Sequence, residues 1–237
     1  MKKLTKITLS LLLASSAAMA DSAFLEYEKV NKINPDFLIN ANYLTSSNEN
    51  TKFSNVNGGS IDFKYKVGEH NCFAAATYIG IYGEYVSGEE NDKTRPEYLS
   101  TTGKFTLTQA WNTETQNTSL ILSIGKTRVK DYENNSFIDY EYPFFAIGTS
   151  YSFQMAKSDL WTGLDLEYKY GREDKIKVDG VDTTFSKNIN GYKIGVPFEL
   201  KTSMNYSFIV KYEYDWNKNS SLTMHQNKIF AGLKAKF

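Results

Sequence analysis

From Phe37 to Phe237 the chain repeats one pattern, apolar and polar residues alternating one by one, and nothing else in it constrains the fold as strongly. An alternation of period two places the two sets on opposite faces of a β-strand. The cleanest segment is Ile61-Asp62-Phe63-Lys64-Tyr65-Lys66-Val67. Leu160, Leu164, Leu166, Tyr168 and Tyr170 repeat it against Asp165, Glu167 and Lys169. So do Tyr192, Ile194, Val196, Phe198 and Leu200 against Lys193 and Glu199, and Tyr206, Phe208, Val210, Tyr212, Tyr214 and Trp216 against Lys211 and Glu213. Phe145, Ile147, Tyr151 and Phe153 alternate with small residues, and Ile229, Ala231, Leu233, Ala235 and Phe237 close the chain against Lys228, Lys234 and Lys236. Weaker members fall at 37–45, 102–109 and 118–127, and 75–86 carries apolar residues on both parities.

These ten segments approach the ~9–11 residues with which a tilted strand crosses a bilayer. Their links alternate in kind. Stretches 46–57, 87–98, 128–139, 172–187 and 216–225 are long and polar, whereas 68–73, 110–116, 154–158 and 201–203 are short. Alternation of that sort belongs to an up-and-down transmembrane barrel, with short periplasmic turns and longer extracellular loops. The expected fold is all-β, an antiparallel up-and-down transmembrane β-barrel of ten strands spanning 37–237. The count falls to eight if the pair within 75–109 does not span.

The N-terminus reads as an export signal. Lys2, Lys3 and Lys6 precede a short apolar run from Ile7 to Ala14, and Ala18-Met19-Ala20 offers a cleavage site. Cleavage after Ala20 removes three of the 27 basic residues and leaves 24 against 27 acidic, a formal −3. No apolar run reaches the ~18 residues of a spanning helix. The single cysteine, Cys72, excludes an intrachain disulfide or a multi-cysteine metal site, and the charge balance gives no footprint for nucleic acid. Residues 21–36 form a periplasmic lead-in in which Phe24, Tyr27, Val30 and Ile33 are roughly helix-spaced.

In a membrane barrel the apolar set faces lipid and the polar set faces the lumen. The residues expected to line the lumen are then Asp62, Lys64, Lys66, Lys104, Asp165, Glu167, Lys169, Lys193, Glu199, Lys211, Glu213, Lys228 and Lys234. With Lys236 they make nine lysines against five acids, a cationic excess of four. Mixed signs favour ion pairs across the lumen. Inward Gly148, Ser150, Ser152, Gly163, Gly191 and Gly195 are expected to leave room for water. Tyr168, Tyr170, Tyr212, Tyr214 and Trp216 cluster where strands meet long links, the place of an interfacial aromatic girdle.

The last strand, Ile229 to Phe237 with its terminal aromatic, resembles the C-terminal signature of bacterial outer-membrane β-barrels. The size resembles the group of the OmpA transmembrane domain, OmpW and the opacity proteins. The resemblance implies an integral outer-membrane protein whose Leu233, Ala235 and Phe237 are read by the barrel-assembly machinery. Its other expected partners are outer-membrane lipid and either small solutes or a host or surface ligand.

Little in the sequence carries catalytic chemistry. Omptin proteases, which are ten-stranded, need an Asp pair and an Asp–His pair at the rim. His225 has no neighbouring Asp on its strand, and Asp174, Asp179 and Asp182 sit in a loop. The residue two after His225 is Asn227, so the Ser–His motif of outer-membrane phospholipases is missing. Asp131, Glu133 and Asp139 read as a hydrated loop before a cation site. No metal, cofactor or catalytic set is expected. Asp179-Gly180 between β-formers predicts a type I′ hairpin tip above the membrane. The expected function is a narrow passive channel or a structural surface protein. An adhesin-like barrel acting through its loops is the alternative, ahead of an omptin-like or lipid-modifying enzyme.

Overall fold

A computed structural model describes residues 37–48, 53–70, 75–90, 98–133, 136–156, 158–172, 175–183, 188–203, 205–218 and 223–237. The expected signal at 1–20 and lead-in at 21–36 lie outside the described residues. The strands are β1 (Phe37–Asn48), β2 (Phe53–His70), β3 (Ala75–Glu90), β4 (Tyr98–Asn112), β5 (Gln116–Glu133), β6 (Ser136–Gln154), β7 (Leu160–Arg172), β8 (Lys175–Val178), β9 (Val181–Thr183), β10 (Asn188–Lys201), β11 (Tyr206–Lys218) and β12 (Thr223–Lys236).

All but β8 and β9 pair antiparallel with their neighbours in chain order, and β12 returns to β1, so ten strands close into a barrel. Closure removes the free sheet edges that lipid would leave unsatisfied at several kcal/mol per group. At the seam the Phe37 N–H donates to the Phe237 carbonyl at 3.0 Å, and the Phe237 N–H donates to the Phe37 carbonyl at 2.9 Å. The pair within 75–109 spans as β3 and β4, which settles the count at ten.

The wall alternates as the sequence predicts. Ile61, Phe63, Ile79, Ile81, Phe105, Leu107, Ile124, Phe208 and Leu233 are exposed on the outside, whereas Lys169, Glu213, Asp215 and Lys228 are buried inside. That inversion of a soluble protein's pattern is the physical mark of a barrel whose solvent is lipid.

The long links need correction. Much of 46–57 and 128–139, read as loop, is strand: Val129 pairs with Tyr140 and Arg128 with Glu141, and Val129 and Tyr140 are buried inside. These stretches are polar because their outward face has left the lipid. On β5 the outward series passes from Ile124 to Lys126, Arg128 and Lys130, and on β6 from Phe145 through Pro143 to Glu141 and Asp139. The asymmetry between the two ends is thus largely strand overhang. At the opposite end, tight turns are fixed by hydroxyls: the Gln116 N–H donates to Thr113 Oγ1 at 2.9 Å and the Tyr206 N–H to Ser203 Oγ at 3.1 Å. At the overhang end β8 and β9 form a hairpin against β6. Its tip residues Asp179 and Gly180 have φ of 50° and 83°, the double positive φ of a type I′ turn.

Candidate functional site

The interior of the barrel concentrates the polar chemistry. At mid-height five lysines meet five acids. Lys104 Nζ lies 2.6 Å from Glu167, Lys193 lies 3.9 Å from Glu167 and 3.3 Å from Glu213, and Lys211 lies 3.0 Å from Glu213 and 2.9 Å from Asp165. Lys228 Nζ lies 2.6 Å from Glu84 and 3.9 Å from Asp215. Because β4 and β7 are not neighbours, nor are β3 and β12, the pairs Lys104–Glu167 and Lys228–Glu84 bridge the lumen. The fifth lysine, Lys169, holds its ammonium over the Phe144 and Tyr142 rings, at 5.2 and 5.8 Å from their centroids. Alternating signs are what make this layer tolerable, since an unpaired charge in a narrow dry space is expensive.

Toward the overhang end, Val86, Val129, Tyr140, Tyr142, Phe144, Ala146, Ile189 and Phe230 form an apolar cluster inside the barrel. It leaves a cavity of only about 50 Å³. Below the ion-pair layer the lumen widens into cavities of about 320 and 180 Å³. The turn-end mouth is cationic. Lys64 pairs with Asp62 at 3.2 Å, Lys66 with Glu69 at 3.3 Å and Lys234 with Glu199 at 3.0 Å. Lys201 lies 3.4 Å over the Trp161 ring.

The thirteen residues predicted to line the lumen all carry the inward parity of their strands, and the charge tally changes around them. Glu84 was missed because β3 has apolar residues on both faces: Tyr78, Tyr82 and Val86 inside, Ile79, Ile81 and Tyr85 outside. Asp215 was missed as well, although it shares the parity of Lys211 and Glu213, the signal that could have found it. Lys201 falls in the short link 201–203 by sequence, but it closes β10 and faces inward. The cationic excess therefore does not spread along the lumen; it gathers at the turn-end mouth. The glycines also need correction. A methyl at Gly195 would lie 2.4 Å from Lys211 Cε, and one at Gly191 would lie 2.3 Å from Asn217 Oδ1. These two glycines admit side chains, not water. Gly148, Ser150 and Ser152 do border the larger cavity.

On the outside, Tyr168, Tyr192 and Trp216 form a row of tilted rings across β7, β10 and β11 with centroids 5.1 and 5.4 Å apart. Tyr43, Tyr168 and Tyr212 donate their hydroxyls to Asn57, Asn190 and Asn227 at 2.9, 2.8 and 2.6 Å. Apolar ring and tethered hydroxyl suit a lipid–water boundary. His225 bonds the Tyr214 hydroxyl on this face, and Asp182 pairs with Lys177 at 3.3 Å. Leu233, Ala235 and Phe237 share the outward parity of the closing strand. Just beyond the apolar band, Arg128 grips Asp139 through two bonds of 3.0 and 2.6 Å. Those bonds hold the Asp139 carboxyl below the usual carboxylate range. The side chains of Asp131 and Glu133 lie outside the described residues. Among the described residues no three metal-ligating groups cluster.

No protein family matches the chain, and no curated protein matches it. Solved structures do. The translocator domain of the autotransporter NalP from Neisseria meningitidis is 9% identical, covers 99% of this chain and 98% of its own, and superposes with a TM-score of 0.49. The outer membrane protease OmpT from Escherichia coli is 12% identical over 86% of this chain and 94% of its own, TM-score 0.47. Ail, the attachment invasion locus protein of Yersinia pestis, is 16% identical over 85% and 99%, TM-score 0.38. All three scores lie below 0.5.

Proposed function

We propose that this chain is an integral outer-membrane protein whose barrel is a closed structural element, displaying its overhanging strands and the Asp179–Gly180 hairpin at the cell surface. One observation carries the reading: among the described residues the neutral ion-pair layer and the apolar cluster above it narrow the lumen to a cavity of about 50 Å³ at that level. The narrow passive channel expected from sequence needs a water-filled path through that layer, and ten strands lie near the size at which side chains fill a barrel. Outer-membrane lipid is then the partner of the apolar wall. The barrel-assembly machinery is the partner of Leu233, Ala235 and Phe237. A host or surface ligand would meet the hairpin and overhang. No catalytic role is assigned to any residue.

Planar-bilayer recordings of the purified protein test the closed lumen. Steady conductance should be absent, and a sustained channel with reproducible unitary current would overturn the reading. Orientation is tested separately. A tag between Asp179 and Gly180 should be labelled on intact cells, and a tag at Thr202-Ser203 only after permeabilisation. The reverse labelling would invert the proposed topology.

A further inference from the structure

Lys201 and Lys236 stand apart from the other inward lysines. Among the described residues neither has a carboxylate within 4.0 Å, whereas Lys64, Lys66 and Lys234 at the same end are each paired. Both border the turn-end cavity of about 180 Å³. Lys201 is held in place by the indole of Trp161, itself 3% exposed, at 3.4 Å. Thr108 borders the same cavity from the opposite wall. It is 4% exposed, and its Oγ1 is buried with no hydrogen-bond partner. Glu199 borders the same cavity but is paired with Lys234 at 3.0 Å, so one carboxylate serves Lys201, Lys234 and Lys236 there. That cationic surplus and the buried hydroxyl without a partner are costs compensated only in part.

We propose that the turn-end mouth is a binding site for a small phosphomonoester, its phosphate dianion held by Lys201 and Lys236 with the Thr108 hydroxyl donating a hydrogen bond. Two positive charges match the dianion, and phosphate oxygens accept bonds from both ammonium and hydroxyl donors. The neutral wall carrying Ser150 and Ser152 suits the hydroxyls of a glycerol or sugar moiety. Both lysines point into the lumen, so the ligand arrives from solvent and not from the lipid headgroups around the wall. The site goes beyond the structural reading of the barrel and does not depend on whether ions cross it.

Calorimetric titration of the chain, purified from membranes into phosphatidylcholine nanodiscs, tests the site with glycerol 3-phosphate at fixed ionic strength. Saturable one-to-one binding is expected, with none for glycerol. Each of K201M and K236M should weaken it about tenfold, the scale of one charge-assisted bond. T108V, nearly isosteric, should weaken it a few-fold and serves if the lysine variants fail to assemble. K126M, on the outer face, should leave it unchanged. Absence of saturation would overturn the site, as would equal affinity in a K201M/K236M barrel that still migrates as folded, or equal loss in K126M. Competition by phosphatidylglycerol added to the nanodisc would overturn the solvent-borne ligand.

Discussion

The overhang half and the turn-end half of this barrel share one wall and solve the interior differently. In the overhang half and at mid-height, charges of both signs and an aromatic layer occupy the space. Glu213 alone faces Lys193 at 3.3 Å and Lys211 at 3.0 Å. In the turn-end half the same inward parity brings serines, threonines and asparagines, and cavities of about 320 and 180 Å³ remain. Strand alternation decides only which residues face inward. Whether they close the lumen depends on the size and sign of those residues, layer by layer. One half is held by its filling, the other by its wall.

The strongest way to break this contrast is to remove filling. Glu213→Gln leaves Lys211 with Asp165 alone and Lys193 with Glu167 at 3.9 Å. Removing one partner of a buried pair costs roughly 3–5 kcal/mol. Ser119→Ala, bordering the turn-end cavities, should stay within about 0.5 kcal/mol of the parent. Urea titration of the refolded barrels measures both. Equal midpoints would mean that the ion-pair layer contributes nothing the open half lacks.

The same contrast explains what the sequence disclosed. The wall was legible almost throughout, because period-two alternation survives in Ile61–Val67 as a direct image of two solvents. The hairpin tip was legible because Asp-Gly answers a local demand for positive φ. The interior was less so. Glu84 faces Lys228 across the lumen, 144 residues away in sequence, and no local pattern announces such a pair. On β3 the aromatic residues inside the barrel erased the parity signal altogether. The links at 46–57 and 128–139 misled for a related reason: past the lipid the outward face of a strand turns polar, and on β5 and β6 the apolar residues Val129 and Tyr140 sit on the inward face instead, so the alternation no longer marks a wall facing lipid. Gly195 read as space, although the space belongs to Lys211 from the neighbouring strand.

A second test addresses the half that depends on its wall. Deleting Phe237 removes two seam hydrogen bonds, of 3.0 and 2.9 Å to Phe37, and a ring contact at 6.2 Å. At 0.5–1.5 kcal/mol per bond the loss is about 1–3 kcal/mol, with lower abundance in the membrane. Phe237→Ala keeps the backbone bonds and loses only the ring. If the deletion and Phe237→Ala lower urea stability equally, the seam bonds are not what holds this end. If only abundance falls, and equally in both, the terminal ring acts as an assembly signal.

The smallest expected effect lies on the outer face above the lipid, where the overhang adds surface pairs to an interior already filled by Val129 and Tyr140. Arg128 holds the Asp139 carboxyl below the usual carboxylate range, mainly through its two hydrogen bonds. A depressed folded-state pKa contributes stability that is fully present above the unfolded value of about 3.9 and is lost as pH falls through the folded value. The loss therefore sits below about pH 4. Arg128 is half exposed, which screens the pair and limits it to under about 1 kcal/mol. Asp139→Asn should flatten that small acid limb and leave the midpoint near pH 7 within about 1 kcal/mol of the parent. Urea midpoints of both proteins from pH 7 to pH 3 measure the difference. A loss as large as that expected for Glu213→Gln would show the overhang to be held as firmly as the filled lumen, and the division between filling and wall would have to be redrawn at the lipid boundary.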